Sequence, residues 1–215
     1  MNLITLTDPR SPVSEAYRTL RTNLSFYSLD NPLRSLVVTS PASGEEKSVA
    51  VANLAVTMAQ SGRRTVLVDC DLRRPSLHTF FKLSNESGLT SMILKEGATP
   101  PLQTTSVENL WLLASGPKPP NPADLLGSRK IDQLIAALTK EYDIVLFDAP
   151  PVIAVTDAAV LGAKVDGVLL VISAGKSRRD HAERAKETLE KAKVRIIGVA
   201  LTNAPKDSGM DGYYE

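Results

Sequence analysis

The feature that most limits what this chain can fold into is a series of short, continuous, β-branched apolar runs separated by segments of helical length. Residues 34–39 (RSLVVT), 65–69 (TVLVD), 143–148 (DIVLFD), 167–173 (GVLLVIS) and 194–201 (VRIIGVAL) read as strands, with 110–114 (LWLLA) as a sixth. An apolar run without polar alternation leaves no face for water, so both faces of such strands must be covered. Residues 48–60, 122–140, 157–163 and 180–193 have the spacing of the covering helices, and Gly62 stops the first of them. Strands alternating with helices predict an α/β fold: a doubly wound, mostly parallel sheet with helices on both faces. Ligands of such sheets sit beyond the carboxyl ends of the strands, so the chemistry is sought just after each run.

Composition narrows the class further. The 215 residues carry 25 Lys+Arg against 24 Asp+Glu, a formal charge of +1, which removes the electrostatic reason to expect a nucleic-acid partner. The single cysteine, Cys70, excludes a disulfide framework. His78 and His181 lie far apart and belong to no Cys/His cluster, so no structural zinc site is expected. No segment reaches the roughly 18 consecutive apolar residues of a membrane span, and the first nine residues lack the regions of a signal peptide, so a cytoplasmic protein is expected. Residues 1–203 read as one domain and 204–215 as a flexible tail.

An additional helix, residues 11–28, precedes the first strand, with Ser11 as cap and Pro12 at its first position. Val13, Tyr17, Leu20 and Leu24 form an apolar stripe, while Glu15, Arg18 and Arg21 share a polar face that would by itself be a solvated one. Residues 116–122 (GPKPPNP) read as a stiff loop.

After the first strand comes SPASGEEKS, residues 40–48, followed by a helix. A strand, a small-residue loop, Lys-Ser and a helix form the layout of a phosphate-binding loop, in which backbone N–H groups and the positive helix end hold phosphate oxygens. Ser43, Gly44, Glu45, Glu46, Lys47, Ser48 and Val49 are the nucleotide-binding candidates, with Lys47 on the phosphates and the Ser48 hydroxyl on Mg²⁺. Taken alone, the segment also fits an ordinary strand-to-helix loop with an exposed lysine. Glu46 stands where the usual pattern has glycine. A side chain is strained there if the position needs positive φ, and a carboxylate 5 Å from a phosphate charge repels it by roughly 3 kcal/mol at an effective dielectric near 20.

Two further strands end in aspartate. Asp69 and Asp71 alternate along the extended segment 66–75 and so point the same way; Asp148 closes the apolar run 144–148. Carboxylates at strand ends hold Mg²⁺ beside a bound triphosphate. Each alone fits a cap or a turn, but three of them beside a Lys-Ser loop point jointly to nucleotide and Mg²⁺.

These residues resemble the bacterial tyrosine kinases of capsular and exopolysaccharide synthesis, a P-loop family on the branch of the partitioning ATPases. Residues 14–23 (SEAYRTLRTN), 68–75 (VDCDLRRP), 116–126 (GPKPPNPADLL) and 147–157 (FDAPPVIAVTD) carry the resemblance, which spans nearly the whole chain. It implies an ATP-dependent protein-tyrosine kinase in which Lys47 and Asp69 are catalytic, Asp69 accepting the tyrosine proton. Ser48, Asp71 and Asp148 would surround Mg²⁺, and Asn203 would read the adenine. The resemblance further implies that Glu15, Arg18 and Arg21 assemble a ring of like subunits, and that Tyr213 and Tyr214 are autophosphorylated. About ten residues separate Asn203 from Tyr213, at most ~35 Å of extended chain, so a neighbour's site is within reach. The implied partners are the cytoplasmic segment of a membrane chain-length regulator, which would recruit the kinase to the inner face of the plasma membrane, and an opposing tyrosine phosphatase.

Two alternatives stand beside this expectation. A partitioning-type or septum-positioning ATPase would share the fold, but that group carries a lysine early in its phosphate loop, where this chain has Pro41, Ala42 and Ser43. A catalytically weakened scaffold is the alternative suggested by Glu46.

Overall fold

The computed structural model describes residues 3–27, 32–95 and 99–204. Its helices are α1 (Ile4–Thr7), α2 (Pro12–Phe26), α3 (Lys47–Gln60), α4 (Leu77–Phe81), α5 (Leu89–Leu94), α6 (Pro122–Gly127), α7 (Arg129–Glu141), α8 (Asp157–Gly162) and α9 (Arg179–Lys191). The strands are β1 (Ser35–Thr39), β2 (Thr65–Asp69), β3 (Gln103–Thr104), β4 (Leu110–Leu113), β5 (Ile144–Asp148), β6 (Gly167–Ser173) and β7 (Ile196–Thr202). They form one seven-stranded sheet in the order β3-β4-β2-β5-β1-β6-β7, in which the two-residue β3 is antiparallel to β4 and every other pairing is parallel.

The expectation of strands covered on both faces holds residue by residue. In β1, Val37 joins one core while Leu36 and Val38 join the other. In β2, Val66 and Val68 face the first core and Leu67 the second; in β5, Val145 and Phe147 oppose Ile144 and Leu146. One core lies against α5 to α9, the other against α1 to α4. With each fully buried Val, Leu, Ile or Phe contributing about 1.5–3 kcal/mol, these strands are stable only as the middle layer.

Some elements depart from the sequence expectation. The helix expected over residues 122–140 is two, because Ser128 is extended at φ −67°, ψ 155° directly after Gly127. The break lets Leu125 and Leu126 of α6, and Ile131, Leu134, Ile135 and Leu138 of α7, bury separately. In α2, Val13 is exposed and does not belong to the buried stripe. Ser14 is buried instead, its hydroxyl donating to the Asp8 carbonyl at 2.7 Å while its N–H donates to the Ser11 hydroxyl at 3.2 Å. Tyr17, Leu20 and Leu24 continue that face. The short α1, α4, α5 and β3 had no periodic signal, being too brief to repeat one. Among the described residues no helix is long and apolar enough to cross a membrane.

Candidate active site

The sheet order places β2, β5 and β1 side by side, so the carboxyl ends of three strands meet. Residues 40–46 leave β1 and lead into α3; Asp69 and Asp148 sit opposite each other in the β2–β5 register. The β5 end is tied to the loop by backbone bonds: Val152 N donates to Ser40 O at 2.9 Å and Ala149 N to Val38 O at 3.0 Å. Beyond these ends opens a cleft of about 350 Å³ whose walls include Ser43 to Val49, Asp71, Arg73, Arg74, Pro150 and Pro151.

The charged groups are tightly organised. Lys47 Nζ lies 2.9 Å from Asp71 and 2.9 Å from Asp148 Oδ1, and Ser48 Oγ donates to Asp148 Oδ2 at 2.5 Å. Burial by itself would lower the Lys47 pKa, but the charges of Asp148 and Asp71 outweigh it and hold the ammonium above its usual value. Asp148 is buried and pushed up by desolvation, against the pull of Lys47 and Ser48. Asp69 is pushed up to about 7, first by burial and then by the Asp148 charge, despite accepting from Ser76 N and Leu77 N at 3.0 Å each. Its other oxygen, Oδ1, has no hydrogen-bond partner among the described residues. Asp69 is fully buried behind the cleft wall, whereas Asp71 lines the cleft.

The loop itself resolves the question raised by the two glutamates. Glu46 is left-handed at φ 63°, ψ 23°, the conformation that glycine adopts without strain, and Gly44 stands at φ 85°. The Glu46 carboxylate is turned outward and lies 3.6 Å from Lys176. Glu45 is the inward one: the residue is 3% exposed, Oε1 accepts from Ala42 N at 3.3 Å, and Oε2 has no partner among the described residues. Burial raises the Glu45 pKa, against the hydrogen bond from Ala42 N. The loop is also joined to the last strand, Thr202 Oγ1 donating to Glu45 O at 3.3 Å.

Among the described residues no three His, Cys, Asp or Glu side chains are grouped to hold a metal ion. The oxygen donors here are Asp71 and the Ser48 hydroxyl on the cleft wall and the buried Asp148 carboxylate bonded to Ser48 and Lys47. That all-oxygen set, short of a full shell, fits Mg²⁺, which keeps waters and takes its remaining ligands from substrate phosphates.

A family model described as "ParA: NUBPL iron-transfer P-loop NTPase" matches residues 33–204. Tyrosine-protein kinase YwqD of Bacillus subtilis (strain 168) is 45% identical over 216 residues, covering 99% of this chain and 91% of its own. The chain belongs to the bacterial tyrosine-protein kinases, within the ParA-type P-loop NTPases. The putative tyrosine-protein kinase CapB of Staphylococcus aureus is 39% identical over 96% of this chain and 91% of its own. The solved kinase domain of the Escherichia coli tyrosine kinase ETK superposes with a TM-score of 0.90 at 31% identity, over 97% of this chain and 82% of that one. The kinase reading and the nucleotide-binding fold expected from the motifs are borne out.

Other expected site residues are placed as follows in the kinase. Asn203 is exposed at φ 53° and donates through Nδ2 to Ser173 Oγ at 2.9 Å, outside the cleft wall. Glu15 and Arg18 pair with each other at 2.6 Å, and Arg21 donates to the Thr57 carbonyl at 3.1 Å. Tyr213 and Tyr214 lie outside the described residues. Three participants went unassigned from sequence. Tyr17 packs against the core beside α3, and its pKa is pushed up to about 12, first by burial and then by the Glu46 charge. Arg73 is bonded to the buried Asp157 at 3.1 and 3.2 Å, tying the segment after β2 to the start of α8. Arg74 lines the cleft beside it. All three stand in stretches that carried the family resemblance, yet spacing alone gave none of them a partner.

Proposed function

We propose that this kinase transfers the γ-phosphoryl group of ATP to tyrosines, Tyr213 and Tyr214 of its own tail among them, and so regulates capsular or exopolysaccharide synthesis and export. The observation that carries the reading is the junction of Lys47, Ser48, Asp71 and Asp148 at three adjacent strand ends, the first three lining one cleft and the buried Asp148 bonded to Lys47 and Ser48. Phosphoryl transfer asks the protein mainly for positioning and charge neutralisation, and this junction has the groups for both.

In the roles proposed, the loop N–H groups and Lys47 hold the phosphates. Lys47 must release a carboxylate to do so, which frees Asp148 and Asp71 together with Ser48 to hold Mg²⁺. The ion, when bound, neutralises charge on the phosphate oxygens. Asp69 takes the tyrosine proton: a carboxylate raised to about 7, with one unpartnered oxygen, is poised near the working pH of a general base. Asp71 is the second reading for this role, favoured by its place on the cleft wall. Asn203 is proposed for the adenine; it directly follows Thr202, which bonds to the Glu45 carbonyl of the phosphate loop.

Glu15, Arg18 and Arg21 are proposed to join like subunits into a ring. Their present bonds are within the subunit, so assembly would exchange the Glu15–Arg18 pair for contacts across the interface. Residues 1–203 are proposed to act as one domain with 204–215 as the substrate tail. The activating partner is proposed to be the cytoplasmic segment of a membrane chain-length regulator, which brings the kinase to the inner membrane face, and a tyrosine phosphatase opposes it.

Incubation of the purified chain with γ-labelled ATP, with and without the cytoplasmic segment of a chain-length regulator, tests the reading. Label on Tyr213 or Tyr214 is expected. Free phosphate without label would make the chain an ATPase, and failure to bind ATP would make it the scaffold that Glu46 suggests.

A further inference from the structure

The cations of the cleft have unequal commitments. Lys47 is shared between Asp71 and Asp148 at 2.9 Å each. Arg73 is engaged by Asp157, a buried carboxylate, through both of its oxygens. Arg74 lines the same cleft, is exposed, and has no carboxylate in ion-pair reach among the described residues. Its backbone is held firmly: Arg74 N donates to both Asp71 O and Asp71 Oδ1 at 3.1 Å. A guanidinium whose donor fork is unused among the described residues is therefore carried on a backbone clamped to an aspartate of the reaction centre. The other charged groups of the cleft wall besides these cations are acidic: Glu45, Glu46 and Asp71.

The tail has the complementary charge. Residues 205–215 read PKDSGMDGYYE, with Asp207, Asp211 and Glu215 against a single Lys206. In an extended acceptor segment side chains two apart share a side, so Asp211, Tyr213 and Glu215 would project together, about 7 Å between neighbours. Tyr213 entering the cleft thus brings a carboxylate to each flank, whereas Tyr214 has Gly212 two residues before it.

We propose that Arg74 selects the acceptor: it pairs its guanidinium with a carboxylate two residues from the tyrosine, and so makes acidic-flanked tyrosines the preferred substrate class. The inference rests on the tyrosine-kinase reading of this cleft. Arginine is suited to the role because its planar fork meets a carboxylate through two charge-assisted hydrogen bonds. The pairing sits at an exposed mouth, so it changes the rate by about fivefold at most at low salt and weakens as salt screens it.

The test is a charge swap in the full chain, reading the initial rate of label entering Tyr213 and Tyr214, with ATP affinity measured separately on each variant. Asp211→Asn/Glu215→Gln and Arg74→Glu are each expected to slow labelling about fivefold, and Arg74→Glu combined with Asp211→Lys/Glu215→Lys to recover most of it. ATP affinity is expected to change far less than the labelling rate. Neutralising the tail without slowing it, or a swap that recovers nothing, overturns the inference and leaves the kinase reading intact. A loss of ATP affinity in Arg74→Glu that accounts for its whole rate defect also overturns it, assigning Arg74 to the nucleotide. Absence of label from the unmodified chain incubated together with the cytoplasmic segment of a chain-length regulator removes the kinase reading, and this inference with it.

Discussion

Replacing Glu46 by glycine separates two effects that coincide in the sequence. The residue is held at φ 63°, a region that costs a non-glycine residue about 1–2 kcal/mol, so glycine relieves strain in the folded loop. Glycine also gives the unfolded chain more freedom, about 0.4–1 kcal/mol, so net stability should move by less than about 1 kcal/mol. The larger question is electrostatic. At 5 Å a carboxylate repels a phosphate charge by roughly 3 kcal/mol at an effective dielectric near 20, but only about 0.8 kcal/mol in a water-like medium. The Glu46 side chain is 42% exposed and Lys176 stands 3.6 Å away, so the water-like value governs. Glu46→Gly should therefore tighten ATP binding about fourfold, not several hundredfold. Calorimetric titration with a non-hydrolysable ATP analogue measures this, with Glu46→Gln retaining the side chain without the charge. Both variants should gain similarly at about 50 mM salt and lose most of the gain at about 500 mM. Unchanged affinity in both would refute the electrostatic argument, and a hundredfold gain would refute the outward placement of the carboxylate.

Three further outcomes are expected. Lys47→Met should abolish labelling and also lower stability by about 3–5 kcal/mol, because Asp148 is then left buried without its cation; thermal unfolding checks the second effect, and preserved stability would contradict the buried pairing. Asp69 is raised from 3.8 to about 7, so the folded chain holds a proton there that the unfolded chain releases above about pH 4. Its stabilising share is complete below about pH 4 and lost as pH rises through about 7, which makes Asp69→Asn increasingly more stable than the parent over that window; denaturant melts at a series of pH values would show the gap failing to widen if the burial argument were wrong. Arg18→Ala and Arg21→Ala should each prevent ring assembly by sedimentation with little loss of stability, since the Glu15–Arg18 pair is half-exposed and each variant gives up one side-chain bond to a backbone carbonyl, Arg18 to Pro9 O and Arg21 to Thr57 O.

The site was legible to an unusual degree because its residues are tied to strand ends. Lys47, Ser48, Asp71 and Asp148 each stand at or shortly after the end of an apolar run, so fixing the strands in a parallel sheet fixes the residues at one edge. What spacing left open was contact between residues far apart in sequence. Arg73 meets Asp157 across 84 positions, and Thr202 meets Glu45 across 157. A run of charged residues looks the same whether its members turn inward or outward, so the sequence drew attention to Glu46 and did not show that Glu45 is the buried one.

The sequence by itself determined the layer architecture, because an apolar run with no polar alternation admits only burial on both faces. It also determined which chemistry the strand ends could perform, since residue type and position decide that together. Only the tertiary structure decided which glutamate is buried, that Lys47 is held between two carboxylates, and that Arg74 faces the cleft without a carboxylate partner among the described residues. Those facts depend on where separate segments come to lie. The strand order β2-β5-β1 brings them together, and it is set by packing across the whole sheet.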